Sequence, residues 1–277
     1  MVQEIQAKSI LVASKLPDTD YVINPYTGCS FGCSYCYASF MGRFVDKKVE
    51  DWGLYVYPKI NLPEVLEKEL IKIKDKSKSI FFSSVTDPYQ GLEAKYKLTR
   101  SALELLLKYN WTGEIGILTK SQLVVRDIDL FKKFKNIEVG LTITSTDDAV
   151  STFLEKSAPP ASDRLNALEK LNKEGVHTYA FVGPLLPHFS ATPEKIKNIF
   201  DALQKVGVKE IYMEHINLSP YIKKRLMGKI KGEDKKIIEK FYLAESKDYK
   251  RELENVISEI LKDYKFKLRL NEVISHK

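Results

Sequence analysis

All three cysteines of the chain lie in one short, glycine-punctuated stretch, residues 24–37. Cys29, Cys33 and Cys36 follow the spacing C-x3-C-x2-C. A tight loop can turn three thiolates inward onto one small object, and a cubane iron–sulfur cluster accepts thiolates on its irons. Three protein thiolates leave one iron open to a ligand from a substrate or cofactor. The spacing therefore indicates chemistry at a cluster rather than simple electron storage.

An aromatic residue, Tyr35, stands directly before the third cysteine, and the whole motif resembles the signature of the radical S-adenosylmethionine (SAM) enzymes. The resemblance implies that Cys29, Cys33 and Cys36 bind a [4Fe-4S] cluster and that SAM chelates the fourth iron. It also implies that the reduced cluster cleaves SAM to methionine and a 5′-deoxyadenosyl radical, which takes a hydrogen atom from a substrate. The flat ring of Tyr35 would lie against the adenine.

Three other uses of these cysteines fit the sequence less well. A structural zinc site normally has four ligands, often in two pairs, whereas this chain has one trio and its nearest histidine is His177. Buried unreactive cysteines need no such spacing beside two glycines. A disulfide framework is excluded by the odd count and by the low cysteine content of a chain of 277 residues.

Composition and charge set broad limits on the fold and the partners. A hydrophobic share of 44% is ordinary for a globular protein, and 277 residues suffice for one or two domains. No N-terminal apolar segment or apolar run approaches the ~18 residues of a membrane span, so the sequence predicts a cytoplasmic protein without a membrane partner. The net charge of +7 fits an anionic partner such as nucleic acid and equally a lysine-rich solvated surface.

Hydrophobic periodicity predicts strands and helices that alternate about six times. The strands are predicted at 21–24, 79–84, 114–119, 137–144, 176–182 and 210–215. The helices between them are predicted to begin at Asn61, Thr99, Asp127, Ser162 and Thr192. Such alternation indicates parallel βαβ units in an α/β fold, and periodicity alone leaves open a barrel or a doubly wound sheet.

The radical SAM resemblance implies the barrel, of the partial (β/α)6 TIM type. We expect a lead-in at residues 1–20, the barrel at 21–227, and a short helical and strand C-terminal extension at 228–277 that packs on it. The end of that extension, 264–270, alternates apolar and basic residues and reads as an edge strand with a basic outer face. In barrels the chemistry lies on loops that leave the C-terminal ends of the strands.

Polar residues follow the second predicted strand in the segment S-S-V-T-D-P-Y-Q-G-L-E, residues 83–93. Hydroxyl and carboxylate groups suit the ammonium group of a bound amino acid, although Thr-Asp-Pro is also ordinary turn chemistry. After the cysteine motif, T-D-P-Y-Q-x-x-E resembles the spore-photoproduct-lyase-like branch, whose members are often labelled DNA repair photolyases. Further similar pieces are Leu118-Thr119-Lys120-Ser121 with Arg126-Asp127, Glu155 with Pro159-Pro160, and Arg164.

The resemblance implies that a set of residues near the strand ends holds SAM. That set is Tyr35, Ser84, Thr86, Asp87, Lys120, Thr142, Thr144 and Arg164. Thr86 and Asp87 would lie near the SAM amino group, and Lys120 would reach the carboxylate as a point charge. Thr142 or Thr144 would bond the ribose hydroxyls. The structural alternative for Lys120 is a plain surface position.

Arg164 would brace either Glu155 or the SAM carboxylate. The alternative is that Glu155 and Arg164 only tie a loop down.

The sequence departs from the branch at one position. True spore photoproduct lyases use an additional cysteine at the end of the second strand to return a hydrogen atom to the repaired thymine, and Ser84 stands there. A serine O–H bond is far too strong to donate a hydrogen atom readily, so repair by that route is not expected. A phenolic O–H bond is weaker, and Tyr37 and Tyr89 are the candidate donors by position.

The sequence therefore predicts a radical SAM enzyme, a lyase or another radical-dependent catalyst, that acts on a nucleic-acid base in repair or modification. Radical modification of a peptide, protein or small metabolite is the alternative within enzymes. A metal-braced nucleic-acid-binding module without catalysis is the alternative of another class. SAM and an electron donor such as flavodoxin or ferredoxin are the expected partners.

Overall fold

In the computed structural model, which describes residues 1–276, strands and helices alternate through most of the chain. The strands are β1 Leu11–Ala13, β2 Tyr21–Ile23, β3 Tyr26–Gly28, β4 Val56–Pro58, β5 Ile80–Phe82, β6 Ile115–Thr119, β7 Ile137–Thr142, β8 Thr178–Leu185, β9 Glu210–His215 and β10 Lys267–Leu268. The helices are α1 Leu62–Lys72, α2 Glu93–Tyr96, α3 Leu98–Lys108, α4 Ile128–Phe131, α5 Asp148–Leu154, α6 Ala161–Lys173, α7 Pro193–Lys205, α8 Pro220–Ile230, α9 Lys235–Leu243 and α10 Lys247–Leu261.

Eight strands form one open sheet in the order β1-β2-β5-β6-β7-β8-β9-β10. From β2 to β10 every neighbouring pair is parallel, and β1 lies antiparallel at the edge. The six predicted strands are β2, β5, β6, β7, β8 and β9. This sheet confirms the predicted α/β class, and the carboxyl ends of its parallel strands meet at one edge. Within residues 1–276, no helix is both long and apolar enough to cross a bilayer.

The amphipathic helices bury one face against this sheet. Helix α7 is typical, because its buried side chains recur at helical spacing: Ile196, Ile199, Phe200 and Leu203. Each such side chain contributes about 1.5–3 kcal/mol when it leaves water. The strands carry continuous apolar runs because helices or loops cover both faces of the sheet. The burial of these apolar side chains holds the helices against the sheet, and the packed sheet fixes the positions of the strand ends.

Two predicted helix starts are wrong. Thr99 and Ser162 each lie inside their helix, one residue beyond its beginning, so neither acts as the N-cap. Their hydroxyls serve tertiary contacts instead, with Thr99 donating to the Pro88 carbonyl at 2.5 Å and Ser162 to Asp148 at 2.6 Å. Local capping rules missed these partners because they lie 11 and 14 residues away along the chain.

The C-terminal extension also differs from its prediction. The strand expected over 264–270 is reduced to β10, because Leu270 and Asn271 have positive φ angles of 64° and 55° that turn the chain away. Arg269 does not decorate an outer face, since its side chain is only 13% exposed. The division at 227/228 stays a prediction, and α8 spans that boundary. Lys277 lies outside the described residues.

Arg269 instead ties the extension to the sheet. Its guanidinium donates to Glu138 at 2.6 and 3.0 Å and to Glu210 at 2.6 Å. The same group lies over the rings of Tyr179 and Tyr212, 4.8 and 5.2 Å from their centroids. One cation therefore holds two carboxylates from β7 and β9 together, which would otherwise repel each other.

Replacing Arg269 with methionine should lower the free energy of unfolding by about 1.5–3 kcal/mol, because charged hydrogen bonds to Glu138 and Glu210 are lost. Urea denaturation measures this change. Arg251→Met is the matched control, because among residues 1–276 that exposed side chain pairs only with Asp248, one turn earlier. Its loss should cost no more than ~0.5 kcal/mol. Equal losses in the two variants would contradict this function of Arg269.

Candidate active site

The three cysteines lie in the cysteine loop, defined here as residues 28–37, which leaves β3. Cys29 and Cys33 are buried, Cys36 is partly buried, and all three are free thiols. Gly28 and Gly32 have φ angles of +85° and +62°, a region where a side chain is strained. A Cβ on Gly28 would also stand 2.5 Å from the Tyr55 carbonyl oxygen. The two glycines therefore allow the sharp turns that gather the sulfurs.

Gln90 holds one side of this loop. Its side chain is fully buried, accepts the Ser30 N–H at 2.9 Å, and donates to the Gly28 carbonyl at 3.3 Å. The amide also donates to the Thr86 hydroxyl at 3.0 Å, and that hydroxyl donates to the same Gly28 carbonyl at 2.5 Å. Sequence reasoning assigned Gln90 no function, although it stood inside the T-D-P-Y-Q motif. It is a positioning residue for the cysteines.

Replacing Gln90 with leucine should loosen the loop and weaken metal retention by about 10–100-fold, as is typical when an outer partner of a metal ligand is lost. The release of iron from the reconstituted protein to a chelator measures the effect. Gln122→Leu is the control, because within the described part of the chain its exposed amide bonds only Asp163, at 3.0 Å, outside the loop. Equal iron release from both variants would contradict the positioning function.

A buried charged group holds the other side of the loop. The backbone of Cys33 pairs with that of Glu155. The Glu155 carboxylate accepts hydrogen bonds from the Tyr35 hydroxyl, from Thr144 Oγ1 at 2.9 Å and from the Arg164 guanidinium. Arg164 also donates to the Thr142 carbonyl at 3.2 Å. Glu155 and Arg164 are both inaccessible to solvent. Glu155 thus joins five predicted site residues, Cys33, Tyr35, Thr142, Thr144 and Arg164, in one network.

Burial and Arg164 act on Glu155 in opposite directions. Removal from water raises the pKa of the Glu155 carboxyl above its ordinary value, and the Arg164 cation works against that rise. Arg164 bonds Glu155, which is one of its two predicted partners. The remaining guanidinium nitrogens donate to backbone carbonyls at Pro159 and Thr142. Arg164 therefore reaches the loop through Glu155.

Asp87 and Lys120 meet at the ends of β5 and β6. The buried Asp87 carboxylate accepts hydrogen bonds from the Thr119 hydroxyl at 2.6 Å and from the backbone N–H groups of Tyr89 and Lys120, both at 2.9 Å. Burial raises the pKa of Asp87, and these three donors oppose the rise. The Lys120 ammonium lies 5.7 Å from the centroid of the Tyr35 ring. Asp87 thus fixes the backbone from which Lys120 extends.

The electrostatics of the loop bear on whether it fits an iron–sulfur cluster. Burial raises the pKa of all three thiols, so the thiolate form that iron requires needs nearby positive charge. Lys120 favours the thiolates of Cys33 and Cys36, and Arg225 favours that of Cys36. Bound irons would supply the larger share. Three free thiols, two buried and one partly buried, beside two cations therefore fit the cluster by donor type and charge.

Within residues 1–276, no three histidine, cysteine or acidic side chains converge closely enough to hold a single metal ion. A cubane cluster does not need its ligands to converge on one point. The thiolates of a cubane cluster bind different irons and are spread around the cluster.

The candidate hydrogen donors lie in different places. Tyr37 is 49% exposed, and its hydroxyl donates to the Ser84 carbonyl at the end of β5, beside the cysteine loop. Ser84 accepts a hydrogen bond from the Asn24 amide at 3.3 Å. Tyr89 is fully buried, and its hydroxyl donates to Asp127 at 3.1 Å. Both donor roles stay predictions.

Arg225 is a site residue that sequence reasoning missed. It extends from α8 and donates to the carbonyls of Cys33 at 3.1 Å and Val49 at 2.7 Å. Helix α8 was not predicted, and its contact spans 192 residues of sequence. Only three-dimensional folding places this cation behind the loop.

Comparison with known proteins adds to this geometry. The sequence model of the radical SAM superfamily matches residues 23–191, which include the cysteine loop and the strand ends described above. The chain belongs to the radical SAM superfamily. An uncharacterised protein of Methanocaldococcus jannaschii is 42% identical over 184 residues, which are 66% of this chain and 67% of that relative. The radical SAM domain confirms the prediction of a radical SAM enzyme.

Two named radical SAM proteins are similar as well. A radical SAM Nα-GlyT isomerase of Pseudomonas phage M6 is 26% identical over 69% of this chain and 38% of its own. Spore photoproduct lyase complexed with dinucleoside spore photoproduct superposes with a TM-score of 0.71 at 16% identity, over 95% of this chain and 79% of the lyase. Another structure of that lyase contains bound AdoMet. The superposition confirms the partial barrel fold of the radical SAM kind.

Proposed function

We propose that this radical SAM enzyme binds one [4Fe-4S] cluster through Cys29, Cys33 and Cys36 and cleaves SAM reductively. The observation that carries the proposal is the set of three free thiols on one loop, two buried and one partly buried, with Lys120 and Arg225 as nearby cations. When bound, the cluster supplies the electron that splits SAM into methionine and a 5′-deoxyadenosyl radical. The protein binds and orients SAM and excludes water from the reacting atoms.

The strand-end residues have distinct proposed functions in binding SAM. The Lys120 ammonium attracts the SAM carboxylate, and the oxygens of Thr86 and Asp87 accept from the SAM amino group. Tyr35 lies against the adenine, held by its hydrogen bond to Glu155. The hydroxyl oxygens of Thr142, Thr144 and Ser84 can each accept a hydrogen bond from a ribose hydroxyl. Arg164 supports this arrangement through Glu155.

Replacing Lys120 with methionine should raise the SAM concentration at half-maximal cleavage roughly 10- to 150-fold, since a charged hydrogen bond contributes about 1.5–3 kcal/mol. SAM cleavage with dithionite as reductant measures this, and Lys120→Arg should recover part of the loss. Lys133→Met is the control, because that lysine is exposed and lies two residues after the end of α4, outside the cysteine loop. An unchanged SAM requirement in Lys120→Met would remove Lys120 from the binding set.

We propose a nucleic-acid base as the substrate. Support comes from two similar enzymes, a radical SAM Nα-GlyT isomerase and a lyase complexed with a dinucleoside photoproduct. The net charge of +7 also fits an anionic nucleic-acid partner. The segment Tyr37–Val45 adds exposed aromatic rings beside the loop, and the Arg43 guanidinium lies 4.7 Å from the ring centroid of Phe44, which is 62% exposed. Exposed rings and arginine suit stacked, splayed-out bases. A base in a duplex must be flipped out to reach a buried radical.

Anaerobic reconstitution with iron and sulfide, followed by a SAM-cleavage assay, tests the proposed chemistry. The expected result is 5′-deoxyadenosine formation that single-stranded DNA or RNA oligomers stimulate, with salt-sensitive oligomer binding. No oligomer binding at low salt would favour a peptide, protein or metabolite substrate instead. Zinc in the protein and no 5′-deoxyadenosine would favour a non-catalytic binding module. Flavodoxin or ferredoxin is the proposed reductant, and an oxygen-sensitive cluster suits a cytoplasmic location.

A further inference from the structure

A groove of about 430 Å³ opens directly outside the cysteine loop. Gly32 and Ser34, the residues on either side of Cys33, line it. The backbone of Gly53 packs on that wall so closely that a Cβ on Gly53 would come within 2.7 Å of the Gly32 Cα. Arg225 lines the groove as well and bonds the Cys33 carbonyl at 3.1 Å. The groove, called the loop groove below, is thus separated from the sulfurs by the loop itself.

The rim of the loop groove is basic. Four cations and one carboxylate line it: Lys156, Lys224, Arg225, Lys229 and Glu50. Glu50 is paired with Lys224 at 2.5 Å, and no carboxylate among residues 1–276 lies within 4.0 Å of the ammonium groups of Lys156 or Lys229. Lys229 instead lies 4.4 Å over the ring of Phe153. Both lysines are exposed and available to an acidic partner.

The floor of the loop groove is apolar, with one exception. Leu54 is 54% exposed there, beside the buried Trp52 and the ring of Phe153. The hydroxyl of Ser34, only 7% exposed, has no hydrogen-bond partner among the described residues. A cationic rim around an apolar floor with one unused polar atom is the usual composition of a weak, electrostatically steered protein interface.

We propose that the loop groove is the docking surface for an acidic one-electron carrier protein that reduces the cluster. This inference rests on the proposed function, because only a bound cluster needs the electron. The carrier loses one electron and the bound cluster gains it, and no atom or proton passes between the proteins. The lining of the loop groove includes none of the strand-end residues Asp87, Lys120 and Thr142. A carrier there need not compete with SAM.

A nucleic acid is the other anionic macromolecule that a basic rim could bind. The position of the loop groove argues against it, because a base placed there would face Gly32 and Ser34 rather than the strand ends. The exposed rings of Tyr37 and Phe44 lie outside the groove lining. Electron transfer needs only proximity to the sulfurs, which this surface provides, whereas hydrogen abstraction needs access to the strand-end set.

The test compares two reductants with the reconstituted holoenzyme. Dithionite is small and needs no docking surface, whereas a bacterial flavodoxin kept reduced by its reductase is acidic and must dock. In Lys156→Glu/Lys229→Glu, we expect unchanged SAM cleavage with dithionite and at least about a tenfold higher flavodoxin concentration at half-maximal rate. The matched control is Lys68→Glu/Lys170→Glu, with the same charge change on exposed positions of α1 and α6. Lys156→Gln/Lys229→Gln, which only neutralises the charges, should show a smaller shift.

The outcomes separate this inference from the proposed function. No 5′-deoxyadenosine from the wild type with dithionite would overturn both. Normal dithionite activity with equal flavodoxin dependence in the groove and control variants would overturn the docking surface alone. The docking surface also fails if a single-stranded oligonucleotide, and not flavodoxin, protects Lys156 and Lys229 from acetylation. Wild-type turnover with flavodoxin should fall as salt rises, while turnover with dithionite should not.

Discussion

Cys33→Ala is expected to abolish both iron loading and SAM cleavage. Cys33 is 6% exposed, its backbone is paired with Glu155, and its carbonyl accepts from Arg225, so contacts on two sides fix its place in the loop. The chain has three cysteines, so there is no fourth thiol to replace it. A cluster with two protein thiolates would be weakly held, and its open corner would no longer be unique. Iron analysis, visible absorption and 5′-deoxyadenosine formation after anaerobic reconstitution measure the loss.

Ser39→Ala is the matched control for Cys33→Ala. Ser39 is fully buried three residues after Cys36, and its hydroxyl has no hydrogen-bond partner among the residues that the structure describes. Removing an unsatisfied hydroxyl should leave stability and iron content nearly unchanged. Full iron content in Cys33→Ala would contradict the assignment of the cluster to this loop.

Arg164→Met should lower the free energy of unfolding by about 3–5 kcal/mol, because it leaves the Glu155 charge buried without its cation. Both side chains are fully buried, which distinguishes this pair from the surface ion pairs of the chain. Denaturant titration measures the change. The double variant Glu155→Gln/Arg164→Met should recover much of the loss, since glutamine keeps acceptors for Tyr35 and Thr144 without the charge.

The effect of Arg164→Met should also depend on pH. Burial already raises the folded-state pKa of Glu155 above its ordinary value of 4.5, and loss of Arg164 raises it further. The folded variant then binds a proton more readily than the unfolded chain. Its deficit relative to wild type is therefore largest above the folded pKa and shrinks as the pH falls towards 4.5. A deficit that grows on acidification, or one below ~1 kcal/mol, would contradict a buried charged pair.

The main elements of the barrel could be predicted from the sequence because each leaves a local signal. Apolar runs with helical or strand period marked β2, β5, β6, β7, β8 and β9, and β9 occupies the predicted range, Glu210–His215. The cysteine motif marked the loop for the same reason, since its spacing is a property of fourteen consecutive residues. Helices α5 and α8 were missed, although α8 supplies Arg225.

The contacts that hold the site could not be predicted, because their partners lie far apart in the chain. Gln90 bonds Ser30 across 60 residues, and Tyr35 bonds Glu155 across 120. Arg269 was read as an exposed strand residue because alternation cannot show that a turn follows β10. The roles of Tyr37, Tyr89 and the SAM-binding set stay predictions, since they concern a bound ligand rather than the fold.

The amide of Gln90 touches the Thr86 hydroxyl and the cysteine loop at once. If Thr86 accepts from the SAM amino group, then SAM and the cluster are thermodynamically linked through one side chain. Linkage is reciprocal, so a cluster that strengthens SAM binding by some factor is itself retained more strongly by that factor when SAM is present. Cofactor loss during purification should therefore slow when SAM is added to the buffer, and Gln90→Leu should weaken that protection.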